Sequence, residues 1–123
     1  MTQIDQTSRL MDDIDPVLLD FLHEKVNSFI KWDMVRFFHD NPHAADTAER
    51  IAQYTGRDVR TIADELVALV EVGVLEKNEA SGQTIYTLTP DPSMRGLIRD
   101  FVRACDDRMF RVKAIYHVIR GMR

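Results

Sequence analysis

Apolar residues recur at helical spacing over most of this chain and alternate as in a strand over one short stretch. Asp15-Pro16 reads as a helix start, a cap followed by proline at the first helical position. Val17, Leu18, Phe21, Leu22, Lys25 and Val26 continue it as a stripe. Asn27-Ser28 either bends or breaks this segment, so the pattern allows one bent helix or two between Asp15 and His39. Over the second half, Ile30, Met34, Phe37 and Phe38 share a side, with Trp32 flanking it and free to reach a partner surface. Asn41-Pro42 ends the run, because a residue before proline avoids the helical region.

The next helix is short. Asp46-Thr47-Ala48-Glu49 fits a capping box, and Ala48, Ile51 and Ala52 face inward. Gly56 supplies the backbone freedom of a turn. Asp58 caps a second helix, on which Val59, Ile62, Ala63, Leu66, Leu69 and Val70 fall on one side until Gly73 ends it. Two strands are expected after it, Val74-Leu75 and Thr84 to Thr89, with Asn78 to Gln83 as the hairpin tip. Pro90 and Pro92 separate this unit from the C-terminal part.

From Ser93 to Met122 the pattern is that of one long helix. Ile98, Phe101, Cys105, Arg108, Val112, Ile115, Ile119 and Met122 alternate steps of three and four, which makes a heptad seam with one charge in it. A helix of about 30 residues would be roughly 45 Å long. Such a helix outruns so small a core, and a second copy of the chain is the natural cover. The expected organisation is therefore a flexible N-terminal arm (1–14), a main unit (15–92) and a long dimerisation helix (93–123).

Composition changes this picture in only one respect. At 123 residues with 45% hydrophobic content, the chain can build one core. No apolar run could span a bilayer, and the polar, acidic start is no signal peptide, so a cytoplasmic protein is expected. A lone cysteine excludes an intrachain disulfide and a multi-cysteine zinc site. The net charge of −4 is unevenly spread. Eight acidic residues face four basic ones over 1–43 and again over 44–90, whereas 91–123 holds eight basic and four acidic. The positive charge that a nucleic-acid binder needs sits in the C-terminal part and not in the glycine-turn unit.

Thr47-Ala-Glu-Arg-Ile-Ala, Gly56, Val59 to Val70 and Leu69-Val-Glu-Val-Gly-Val-Leu75 together resemble the winged helix-turn-helix superfamily of bacterial regulators, of the MarR, ArsR and PadR kind. The match covers about residues 29–90 and is specific to the superfamily. It implies a mainly α fold with a small β-wing, here carrying an additional N-terminal helix and the long C-terminal dimerisation helix. It also implies a homodimeric DNA-binding protein that regulates transcription. By position, the resemblance puts Arg60, Thr61, Asp64, Glu65 and Ala68 on the DNA-facing side of the second helix. Arg60 could read a guanine through paired hydrogen bonds, and Thr61 a base or phosphate. Thr47, Arg57, Lys77 and Gln83 would approach phosphates. Asp64 and Glu65 oppose this by repelling the phosphate backbone, and the wing tip Asn78-Glu79-Ala80-Ser81 has no arginine.

Two blander explanations stand beside that reading. Arg57, Arg60 and Thr61 could be a solvated face paired with Asp58 and Asp64, and the whole unit could be a protein-interaction module whose acidic face meets a basic partner. Arg95, Arg99 and Arg103 recur every four residues and could meet phosphate, although they also suit the charged flanks of a coiled coil. Dimer contacts are expected from Ile98, Phe101, Cys105, Val112, Ile115, Ile119 and Met122. Cys105 on that seam is read as a small core residue rather than a redox sensor. Phe21, Phe29, Trp32, Phe37 and Phe38 suit core or dimer packing, or a small-molecule effector pocket. His39 and His43 have metal-pair spacing but Pro42 interrupts it, and the four histidines are scattered. No phosphate loop or nucleophile motif is present, so neither an enzyme nor a cofactor or metal is expected.

Overall fold

The computed structural model describes residues 10–121. It is mainly helical, with a small antiparallel sheet. The order is α1 (Pro16–Glu24), α2 (Phe29–Asp40), β1 (Ala45–Asp46), α3 (Ala48–Thr55), α4 (Val59–Glu71), β2 (Leu75–Ala80), β3 (Gln83–Leu88), α5 (Pro92–Ala104) and α6 (Arg108–Gly121).

The N-terminal segment is two helices. Asp15 caps α1, accepting from the Val17 amide at 2.9 Å, and Ser28 caps α2, accepting from the Lys31 amide at 3.1 Å. The Trp32 ring lies edge-on to Phe101 of its own chain at 5.2 Å and packs, partly buried, against the core. Most of the expected 1–14 arm lies outside the described residues. The part that is described is tied down, since the Lys113 ammonium donates to the Asp13 carbonyl at 3.0 Å and Ile14 packs against the core.

Helices α3 and α4 pack together around Gly56, whose φ of +69° closes α3 in the left-handed region. The cap of α3 is Thr47, one residue later than the capping-box reading. Its hydroxyl accepts from the Arg50 amide at 3.3 Å, while Asp46 joins the sheet and ion-pairs with Arg50 at 3.3 Å. Asp58 caps α4 as expected.

The sheet runs β1-β3-β2. Strand β2 is longer than the sequence pattern suggested, and β3 keeps the expected six residues but starts one earlier, at Gln83, because Ser81 and Gly82 alone form the turn. Their φ values of +54° and +77° are those of the two-residue turn that matches strand twist, and Ala80 pairs directly with Gln83. β1 has only two residues and no readable period, yet Ala45 and Asp46 pair with Thr87 and Tyr86. Strand β2 forms one edge, where Glu76, Lys77 and Glu79 are exposed and discourage edge-to-edge pairing.

The largest correction is at the C-terminus. Residues 93–121 are two helices and not one. At the break, the Asp106 and Asp107 amides donate to the carbonyls of Arg103 and Ala104, three residues back, and close α5 as a tight turn. Asp107 then starts α6, its carboxylate accepting from the Met109 amide at 3.2 Å. Arg111 reaches back to the freed Cys105 carbonyl at 2.6 Å. α5 packs on α1 and α2, and α6 folds back onto α1. Ile98, Phe101 and Cys105 therefore lie in the core of their own chain, not at a dimer seam. The core-facing positions of α6 are Phe110, Ala114 and Val118, which the heptad reading passed over, whereas Val112, Ile115 and Ile119 point outward. Met122 lies outside the described residues. Because this region shares one apolar cluster with Ile51, Ile62, Leu66 and Leu69, it is part of the same core rather than an arm. Asp107→Ala should lower unfolding stability by about 1 kcal/mol, as loss of an N-cap does. Urea melts would check this, and an unchanged midpoint would show that Arg111 alone holds the break.

Candidate nucleic-acid interface

The site suggested by the sequence is the exposed side of α4 with the β2–β3 hairpin beside it. Burial of Ile62, Leu66 and Leu69 fixes the rotation of α4. That rotation exposes Arg60, Thr61 and Asp64 on the first two turns, with Val67 and Glu71 beyond them. The Arg60 amide donates to the Asp58 cap at 2.7 Å, so the first turn is well anchored under its side chain.

Glu65 is not on that surface. It accepts a hydrogen bond from Ser28 Oγ at 3.0 Å and lies 3.5 Å from Lys31 Nζ. Ser28 is itself the cap of α2, so the carboxylate sits against the positive end of that helix. The pairing joins residues 37 apart in the chain and had no local signal.

Two of the six expected DNA-contacting residues are committed within the chain. The Thr47 hydroxyl is occupied as the α3 cap, and the residue is only 8% exposed. Arg57 donates from Nε to Asp33 Oδ2 at 2.7 Å, and a second guanidinium nitrogen contacts the same oxygen. It clamps the turn after α3 onto α2. Arg60, Thr61, Lys77 and Gln83 remain exposed, the last two on the hairpin. A further cation was overlooked: Arg50 is exposed near the start of α3, beside Gln83 and Thr84 across an open groove of about 570 Å³. Its hydrogen bond to Tyr54 at 3.0 Å raises its pKa still further, so it stays charged.

Arg95, Arg99 and Arg103 lie on α5, which packs mainly on α1 and α2. Arg95 donates to the Thr89 carbonyl at 2.6 Å and fixes the link between β3 and α5.

The histidines are less scattered than they look in sequence. His23 and His117, 94 residues apart, meet at 3.2 Å. His117 also binds the Met11 carbonyl through Nε2 at 2.8 Å. A carbonyl can only accept, so that nitrogen carries a proton and donates. The pair ties the N-terminal segment to α1 and α6. Among the described residues, no three His, Cys, Asp or Glu side chains converge as metal ligands.

Cys105 is buried, and desolvation pushes its thiol up to about 11, with Arg36 and Arg111 opposing weakly. At pH 8 only about one thiol in a thousand is then ionised. Native protein should react with a disulfide reagent far more slowly than denatured protein, and rapid native labelling would restore the sensor reading. Among the described residues, no helix is long and apolar enough to cross a membrane. Comparison with protein-family models, curated proteins and solved structures finds no match to this chain.

Proposed function

We propose that this chain is a winged helix-turn-helix protein that binds double-stranded DNA as a homodimer and regulates transcription. The order of α3, the Gly56 turn, α4 and the β2–β3 hairpin supports the fold reading. The single observation that carries the DNA reading is the inward pairing of Glu65 with Ser28 and Lys31. It leaves Arg60, Thr61 and one carboxylate, Asp64, on the first two turns of α4. The N-terminal turns of a recognition helix are those that meet base edges. In this reading α4 enters the major groove, Arg60 donates to a guanine, and Thr61 contacts a base or phosphate. Lys77, Gln83 and Arg50 flank the groove near phosphates. Arg57 and Thr47 act from beneath, by holding the turn and the start of α3.

A second reading is favoured by one specific observation. Exposed Glu49, Asp58, Asp64, Glu71, Glu76 and Glu79 outnumber Arg50, Arg60 and Lys77 on α3, α4 with its cap, and the hairpin. That balance suits a basic protein partner rather than phosphates. Titration of random duplex DNA at low and moderate salt, read by fluorescence anisotropy, separates the two. The DNA reading expects binding at low salt that weakens as salt rises. No binding at low salt would leave the protein-interaction module as the function.

A further inference from the structure

Helix α6 is apolar on two opposite sides. Phe110, Ala114 and Val118 face the core, while Met109, Val112, Ile115 and Ile119 are 56%, 42%, 40% and 55% exposed. The outer four follow helical spacing and form a continuous stripe about 15 Å long. Helices apolar on both sides are normally covered on both. The core-facing side is covered by the chain itself.

The charges beside the stripe indicate what covers the other side. After its Asp107 cap, α6 contains Arg108, Arg111, Lys113 and Arg120 and no carboxylate. Lys113 is already used by Asp13 of its own chain. Two α6 stripes laid directly against each other would bring the remaining arginines of both copies together, which like-charge repulsion opposes. Helix α1 has the opposite character. It carries Asp20 and Glu24 after its Asp15 cap, contains no lysine or arginine, and exposes Val17 at 59%. Helices α1 and α6 pack side by side in one chain. A two-fold axis between them would lay the basic, apolar side of each α6 on the acidic α1 of the other copy. Such a surface is self-complementary, as a closed dimer requires.

We infer that the chain dimerises by reciprocal docking of α6 onto α1 of a second copy, with the Met109–Ile119 stripe against Val17. This deepens the dimer part of the proposed function and does not depend on the DNA part. A monomer that binds DNA would overturn the docking surface and the homodimer part but not the DNA part, and a dimer that ignores DNA would overturn only the DNA part.

The test uses the full chain. Light scattering at low micromolar concentration should give twice the 14.2 kDa chain mass. Ile115→Glu and, separately, Ile119→Glu should raise the dissociation constant at least about tenfold by burying a charge in the interface. Both positions are exposed, so the circular dichroism spectrum should not change. Mixing Val17→Cys protein with Ile115→Cys protein under a mild oxidant should give mainly mixed disulfide-linked pairs, with Cys105 buried and excluded. A monomeric wild-type chain, a dimer that survives both glutamates, or a predominance of Ile115–Ile115 links would each overturn the proposal. Binding of monomeric chain to anionic vesicles, lost in Ile115→Glu, would do so too by assigning the stripe to a lipid surface.

Discussion

Phe101→Ala should lower the free energy of unfolding by about 3–5 kcal/mol, the usual cost of removing a buried phenylalanine ring. The expectation rests on position. Phe101 is 1% exposed on α5, with Phe21 of α1 at 5.4 Å, Trp32 of α2 at 5.2 Å and Phe110 of α6 at 6.1 Å between ring centroids. One side chain thus joins four helices, and those helices come from both ends of the chain. The cavity cannot collapse easily, because Ile98 and Cys105 beside it on α5 are themselves buried. Domain stabilities are about 5–15 kcal/mol, so the substitution consumes a large part of the total. Denaturant melts followed by Trp32 fluorescence measure it. A loss below about 1 kcal/mol would mean that α5 and α6 pack loosely, contrary to the fold described.

Arg60→Ala should weaken DNA binding by about 1–3 kcal/mol, or roughly five- to 150-fold, if the arginine makes a paired contact to guanine. The effect should depend on sequence, being larger on a preferred site than on random duplex, because a phosphate contact would weaken both alike. The carboxylates give the complementary control. Asp64→Asn should tighten binding by removing a repulsive charge from the exposed face. Glu65→Gln should leave affinity nearly unchanged and instead loosen the α2–α4 contact, since Glu65 pairs with Ser28 and Lys31. Equal gains from both substitutions would contradict the inward placement of Glu65. Anisotropy titrations of the three variants at one fixed salt concentration would decide this.

The sequence was most legible where burial is one-sided. On α4, Ile62, Leu66 and Leu69 repeat with helical period and are all fully buried, and Asp58 and Gly56 mark the boundaries by their own chemistry. It misled where two periods overlapped. Ile98, Phe101 and Cys105 face the core in one phase, and Phe110, Ala114 and Val118 do so in another after the break. Because Val112, Ile115 and Ile119 are apolar as well, a single seam could be drawn through both helices. Asp106-Asp107 carried the contrary signal, a cap inside a supposed helix. The candidate site suffered from a different limit. Phase alone leaves Glu65 and Arg57 at the margin between exposed and buried, and their real positions depend on Ser28 and Asp33, on another helix. The hairpin tip was read too wide because two adjacent residues with positive φ, one of them serine, close it.

The most direct test of the DNA reading is amide chemical-shift mapping of isotope-labelled protein titrated with duplex DNA at low salt. The proposed function predicts early shifts at Arg60, Thr61 and Asp64 on α4 and at Lys77 and Gln83 on the hairpin, with the outer stripe of α6 unmoved. Absence of shifts at saturating duplex, or shifts confined to α1, α5 and α6, would contradict it.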